Sequence, residues 1–244
     1  MIPLTVPPLR GWLIPVIFGL GCGLAASAAE DDGFEPIFDG KSLAGWVGQA
    51  DYWKVKDGIL TGEVTEATLL DQNSFLIWRG GTASDFELKV EYRVSGQGNS
   101  GINYRSADVA GVPHALQGYQ ADIDGGARYT EGQRHTGNIY EERGRQFLAR
   151  RGDVAHGDAQ GQITVIGAVG IYEGLVAAID EAGWNELHII ARGNTLIHIL
   201  NGRVVAVFVD DDVDHRSHDG LIGVQVHRGP PMKIEYRSIR LKRW

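Results

Sequence analysis

Two short segments carry residues that can move protons, at a spacing that puts those residues on one surface. In residues 114–126, Gln120 and Asp122 alternate with Tyr119, Ala121 and Ile123; in residues 220–229, Gln225 and His227 alternate with Val224 and Val226. Side chains on a strand alternate between its two faces, so each segment has an apolar side for a core and a polar side free to bind. A carboxylate, an imidazole and two amides on one sheet face can grip hydroxyl groups and transfer protons.

The same parity extends to two further segments. In residues 99–106, Ile102 and Tyr104 are the natural core positions, which leaves Asn99, Asn103 and Arg105 on the open face. In residues 136–142, Ile139 goes inward and Asn138, Tyr140 and Glu142 face out. The predicted site therefore has Asp122, His227, Glu142 and Arg105 as catalytic candidates. Gln120, Asn103, Asn138, Tyr140 and Gln225 are its substrate-binding candidates. A single β-bulge would reverse the faces of the strand beyond it.

Other charged and ligand-type residues have weaker signals. His114, His135 and His156 fall in loop regions and are candidate ligands, whereas His188, His198, His215 and His218 read as sheet-surface or turn residues. No H-x-x-x-H spacing exists, so a divalent cation, if used, would be assembled across strands. Residues 210–214, DDDVD, lack the glycine and final glutamate of a helix-loop calcium site and read as solvated turn charges. Arg143, Arg145, Arg150 and Arg151 beside Glu141 and Glu142 read either as loop-borne chemistry or as a solvated, self-neutralising cluster.

The elements that must position these residues are strands. Residues 85–95, DFELKVEYRVS, put Phe86, Leu88, Val90, Tyr92 and Val94 on one face and Glu87, Lys89, Glu91 and Arg93 on the other. Residues 184–211 read as three strands turning at Gly193-Asn194 and at Asn201-Gly202, the latter suited to a type I′ hairpin. Lys56-Asp57-Gly58 turns an earlier hairpin, and residues 232–244 form a last strand. No long window holds an amphipathic helix. Short antiparallel strands with turn signals between them predict an all-β, antiparallel β-sandwich of the jelly-roll type.

The chain has 244 residues with net charge −8. Its start reads as a leader over residues 1–29: Arg10, an apolar run over 11–24, then small residues at 25–29 that suit cleavage before Glu30. This predicts export to a periplasmic or extracellular space, with no membrane span after cleavage and one domain over 30–244. Cys22, the one cysteine, lies within the leader, and GLGC around it matches a lipoprotein box poorly because Gly19 stands where a large aliphatic residue belongs. The acidic balance argues against nucleic acid and anionic membrane surfaces as partners.

Blocks in order along the chain carry a resemblance: FEPIFDGKSLAGWVG, DYWKVKDGILTG, GYQADI, TGNIYEE, WNELHIIARGN and GLIGVQVHRG among them. Together they resemble the exported 3-keto-disaccharide hydrolase domain family. The resemblance implies a concanavalin A-like jelly roll acting on sugars whose 3-hydroxyl is oxidised to a ketone, and hence a separate sugar oxidoreductase as a working partner. The sequence departs from the family pattern twice. Gln120-x-Asp122 stands where Glu-x-Gln is common, and Gln225-Val226-His227-Arg228-Gly229 where Gln-Asp-His-Gly is common.

Two function classes follow. An enzyme cleaving 3-keto-glycosides by β-elimination and hydration would use Asp122 or His227 as base, Arg105 or a divalent cation to stabilise the enolate, and Glu142 as acid. A non-catalytic carbohydrate-binding module would instead present aromatic platforms, for which Trp46, Trp53, Trp78, Tyr104 and Tyr140 are the candidates.

Overall fold

The expected strand at 85–95 forms as β6 (Phe86–Val94), with Phe86, Leu88 and Val90 fully buried and Glu87, Lys89 and Glu91 on the wetter side. It lies in the middle of a ten-stranded sheet. In spatial order this sheet runs β12 (Ile163–Ala168), β11 (Asp153–Gly157), β15 (Arg203–Asp210), β14 (Thr195–Leu200), β13 (Asn185–Arg192), β6, β17 (Met232–Arg243), β4 (Ile59–Val64) and β3 (Trp53–Lys56), with β1 (Glu35–Pro36) also on β17. A seven-stranded sheet runs β10 (Gln146–Ala149), β9 (Ile139–Glu142), β8 (Leu116–Asp124), β7 (Asn99–Asp108), β16 (Leu221–Val226), β5 (Ser74–Trp78) and β2 (Trp46–Val47). One helical turn, α1 (Tyr172–Val176), interrupts the strands.

This computed structural model describes Met1 and residues 32–126 and 134–244. The rest of the expected leader, including Arg10 and Cys22, lies outside the described residues. Gly33–Trp244 is one compact unit. No helix among the described residues is long and apolar enough to cross a membrane. The pairing is antiparallel as expected except between β11 and β15, which run parallel.

The hairpins follow the turn residues. Asn201 and Gly202 both have positive φ, 48° and 78°, as a type I′ turn requires, and they join β14 to β15. Between the sheets, Ile102 and Tyr104 of β7 and Tyr119, Ala121 and Ile123 of β8 belong to the same apolar cluster as Leu88 and Val90 of β6 and Ile189 of β13. Removing such side chains from water stabilises by roughly 25 cal/mol per Å² of apolar surface.

One polar link crosses this core. His198 on β14 is fully buried rather than on the sheet surface, and its Nε2 lies 2.9 Å from the Tyr104 hydroxyl. Its Nδ1 lies 3.2 Å from the Gly137 carbonyl. A carbonyl only accepts, so Nδ1 donates and Nε2 accepts the tyrosine proton. Burial drives the imidazole down to about 4, against the pull of the Gly137 carbonyl. A base whose folded value lies below its unfolded one, about 6.5, gives stability that is full above pH 6.5 and lost as pH falls toward 4. Urea unfolding between pH 7 and 4 should therefore show His198→Gln losing less stability than the wild type, by up to about 3 kcal/mol. Parallel pH profiles would contradict this placement of the proton.

Candidate functional site

Gln120 and Asp122 stand two residues apart on β8, on the face opposite to Tyr119, Ala121 and Ile123. On β7, Asn103 pairs with Gln120 and Gly101 with Asp122; on β9, Tyr140 pairs with Gln120. A Cβ on Gly101 would lie 2.4 Å from Gln120 Cδ, so glycine is what lets the glutamine side chain lie across β7. Gln225 Nε2 on β16 then donates to Gln120 Oε1 at 3.1 Å, and Gln120 Nε2 donates to Asp122 Oδ1 at 2.8 Å. A row of amides thus ends on one oxygen of a carboxyl group.

Above this row lies a cavity of about 530 Å³. Gln120 and Asp122 line it from β8, and Tyr140, Glu142 and Phe147 from β9 and β10, with His135 from the segment before β9. Gln72 and Asn73 before β5, and His227 and Arg228 after β16, complete it together with Asn99 and Arg143. Phe147 stacks on His135 at 5.3 Å, meets Tyr140 edge-on at 5.1 Å, and has the Arg150 guanidinium 4.2 Å from its ring centre.

The two carboxyl groups share an electrostatic setting. Asp122 is 8% exposed, and burial pushes its carboxyl well above the usual carboxylate range. The Gln120 N–H opposes that shift, while the charges of Asp124 and Glu142 add to it. Burial also raises Glu142, against a hydrogen bond from Asn73 Nδ2 to its Oε1 at 3.2 Å and the nearby Arg143 charge. Two neighbouring acids, both desolvated and the deeper one more strongly shifted, suit one proton donor and one proton acceptor. His227 is half-buried at the rim, where Nδ1 donates to the Arg228 carbonyl.

The structure brings together Asp122, Glu142, Gln120, Tyr140 and His227 around the cavity, with Asn99 and His135, and places Arg105, Asn138, Asn103 and Gln225 elsewhere. Arg105 is not on the open face. A bulge between Tyr104 and Ala107, with Arg105 at φ 44°, turns its side chain away. Its guanidinium is buried, donating to the Ser84 and Gly193 carbonyls at 2.7 Å and pairing with Asp85 at 3.1 Å. Asn138 precedes β9 and is buried behind the wall: its Oδ1 accepts from Arg151 N, and its Nδ2 lies 3.4 Å from His135 Nδ1. Asn103 and Gln225 are fully buried below the cavity, where Gln225 supports Gln120.

The charged loop residues are also less solvated than their sequence suggests. Asp210 and Asp212 are each 1% exposed and meet Arg145, which also pairs with Glu141 at 2.7 Å. The Tyr119 hydroxyl donates to Asp210 at 2.5 Å. Asp210, Asp212 and Arg145 are thus a buried brace holding the turn after β9, whereas Asp211 is half-exposed and Asp214 is a solvated turn charge as expected. Arg151 is likewise buried, with its guanidinium over the Tyr172 ring. Trp46, Trp53, Trp78 and Tyr104 are all buried, so of the aromatic platform candidates only Tyr140 reaches the cavity. Among the described residues, no group of three or more His, Cys, Asp or Glu side chains is placed to hold a metal.

A family model described as the 3-keto-alpha-glucoside-1,2-lyase-like domain matches residues 33–242. The chain belongs to this family. Among solved structures, a candidate glycosyl hydrolase from Parabacteroides distasonis superimposes with a TM-score of 0.57 at 18% identity, over 86% of this chain and 99% of that one. A Bacillus subtilis protein with a galectin-like fold gives 0.57 at 14% identity over 86% and 94%. The carbohydrate-binding module CBM66 from Bacillus subtilis gives 0.52 at 16% identity over 81% and 95%. At such identities the likeness establishes a jelly roll common to catalytic and binding proteins. No curated protein matches the chain. The chain is thus a jelly-roll member of a carbohydrate-related family, with Asp122 and Glu142 lining a polar cavity.

Gln72, Asn73, Phe147 and Arg228 have no signal in strand parity, because each sits before or after the strand segments whose alternation exposes the others. His135 carries the weak signal of a loop histidine.

Two outcomes follow for this site. Gly101→Ala should leave the fold intact, since Gly101 is not in the left-handed region, but displace Gln120 and weaken sugar binding in the cavity by tenfold or more. Unchanged affinity would show that the amide row is not needed. Asp122→Asn should raise Tm at neutral pH, because a buried acid with a raised folded value opposes folding once pH exceeds its unfolded value. That gain should vanish below about pH 4, where the acid is protonated in both states. A Tm gain independent of pH would contradict the desolvation of Asp122.

Proposed function

We propose that this domain cleaves 3-keto-glycosides by β-elimination followed by hydration, with Glu142 as base and Asp122 as acid. The observation that carries this reading is the pair of carboxyl groups lining one cavity, both raised by desolvation, with Asp122 buried and Glu142 only half-buried. The deeper acid keeps its proton at a pH where the shallower one has lost it. This reverses the order of roles that parity alone suggests.

The chemistry balances on these two groups. A ketone at C3 acidifies the C2 proton, which Glu142 takes while the electron pair moves into an enolate. The enolate collapses to the ketone, C1=C2 forms, the C1–O bond breaks, and the departing oxygen takes the proton of Asp122. Water then adds at C1, giving a proton back to Asp122, while Glu142 returns its proton to C2. The Gln225–Gln120 row holds Asp122 in one orientation through both steps. Arg105, tied to Ser84, Gly193 and Asp85, is unsuited to stabilising the enolate; the Tyr140 hydroxyl and the rim imidazoles of His135 and His227 are the candidate donors.

The reading carries two biological requirements. A separate oxidoreductase must supply the ketone, and the leader expected over 1–29 would deliver the domain to a periplasmic or extracellular space where such sugars meet it.

Leaving-group dependence tests the assignment. On a 3-keto-glucoside with a poor alcohol leaving group, Asp122→Asn and Glu142→Gln should each lower kcat/KM by roughly 10²–10⁴-fold. On a 4-nitrophenyl 3-keto-glucoside, which needs no acid, Asp122→Asn should recover most of its activity and Glu142→Gln should not. The wild-type kcat/KM should rise with pH through the raised Glu142 value and fall again through the higher Asp122 value. A chelator arm locates the enolate stabiliser: loss of activity assigns it to a divalent cation, and retention to side chains. Binding of sugar with no cleavage of either keto-glucoside would leave a binding module instead.

A further inference from the structure

Several arginines on this acidic chain are matched with carboxylates. Arg79 meets Asp108, Arg93 meets Glu235, Arg134 meets Asp124 and Glu181, and Arg237 meets Glu91. Arg143 and Arg228 line the mouth of the cavity and, among the described residues, neither makes an ion pair, as is true of Arg150 beside Phe147. Both are exposed, and two adjacent residues hold them at the same end. Arg143 Nη2 donates to Gln72 Oε1 at 3.2 Å, and the Arg228 backbone N–H donates to Asn73 Oδ1 at 3.1 Å.

Solvated arginines on a surface are ordinary, but two features set these apart. Arg143 has φ 60°, in the left-handed region that favours glycine, so a long cationic side chain occupies a position where the backbone prefers none. The pair also sits beside Glu142, yet Arg143 engages an amide rather than that carboxylate. Two guanidinium groups that make no ion pair, one of them near the Glu142 charge, stand at one end of a polar cavity on a chain of net charge −8, where they offer positive charge to an anion. Their planar forks match the paired oxygens of a carboxylate, sulfate or phosphate.

We propose that the glycoside taken by this site carries an oxyanion on its aglycone, gripped by Arg143 and Arg228. This rests on the elimination reading only for which bond is cut; the anion grip itself needs no ketone. With Asp122 and Glu142 reaching C1 and C2 of the sugar, the arginine end of the cavity is left for the departing group. The anion would fix that group's position before and after the C1–O bond breaks.

Calorimetric binding of unoxidised phenyl, 4-carboxyphenyl and 4-sulfophenyl glucosides to the full chain tests this without turnover. A charged glucoside should bind about tenfold or more tightly than phenyl glucoside, by an amount that shrinks as salt is added. The carboxyphenyl and sulfophenyl arms distinguish which oxyanion is preferred. Arg143→Gln/Arg228→Gln should bring the charged-to-neutral ratio close to one, and the same ratio should collapse in kcat/KM for the 3-keto derivatives. Equal affinities, no binding of either charged glucoside, or a preference that survives the double substitution would overturn the proposal. Failure of the elimination chemistry would instead appear as tight, charge-dependent binding without cleavage.

Discussion

A carboxyl group kept out of water governs this site. Asp122 belongs to a strand whose other face is fully apolar, so its position is set by the packing of Tyr119, Ala121 and Ile123 into the core. Its chemistry is set by what lies beside it: an amide N–H on one oxygen, a second carboxyl nearby, and little solvent. Gly101 makes that arrangement possible, because any side chain there would occupy the volume of Gln120. The cavity, its acid and its base therefore depend on a cross-strand contact between a glycine and a glutamine.

The scaffold secures this contact from both sides. The Tyr104–His198 bond links the two sheets directly behind the site, since Tyr104 is on the strand that carries Gly101 and Asn103. Arg105, next along that strand, ties it to the turn between β13 and β14 through the Gly193 carbonyl. Arg145, held among Glu141, Asp210 and Asp212, fixes the turn that carries Glu142 and Arg143. Charged groups buried in such braces are expensive to separate from their partners, which keeps loop-borne residues at defined positions.

Much of this was legible in the sequence, and the limits have physical causes. Alternation in residues 85–95 gave a strand and its buried face because period two is a property of the chain alone. The same rule placed Gln120, Asp122, Tyr140 and Glu142 on one surface. It failed at Arg105 because a bulge changes parity, and the residues around it carry no mark of where the extra residue falls. Asn138 was misplaced because it precedes its strand and answers to Arg151 and His135 instead. Asp210 and Asp212 read as solvated because their counter-ion, Arg145, lies sixty-five positions away from Asp210 in sequence and meets them only in the fold. The fate of the tryptophans was likewise a question of tertiary packing, which buries Trp46, Trp53 and Trp78 and leaves Tyr140 at the cavity.

The central claim is that C2 loses its proton before the glycosidic bond breaks, and one isotope measurement reads it. Cleavage of a 3-keto-glucoside in D₂O, quenched at early times and compared with free 3-keto-glucose held under the same conditions, should give product carrying deuterium at C2 in excess of that control. Product with hydrogen retained at C2, together with no primary isotope effect on cleavage of a C2-deuterated 3-keto-glucoside, would mean direct displacement at C1, and would contradict the assignment of Glu142 and Asp122 as an elimination pair.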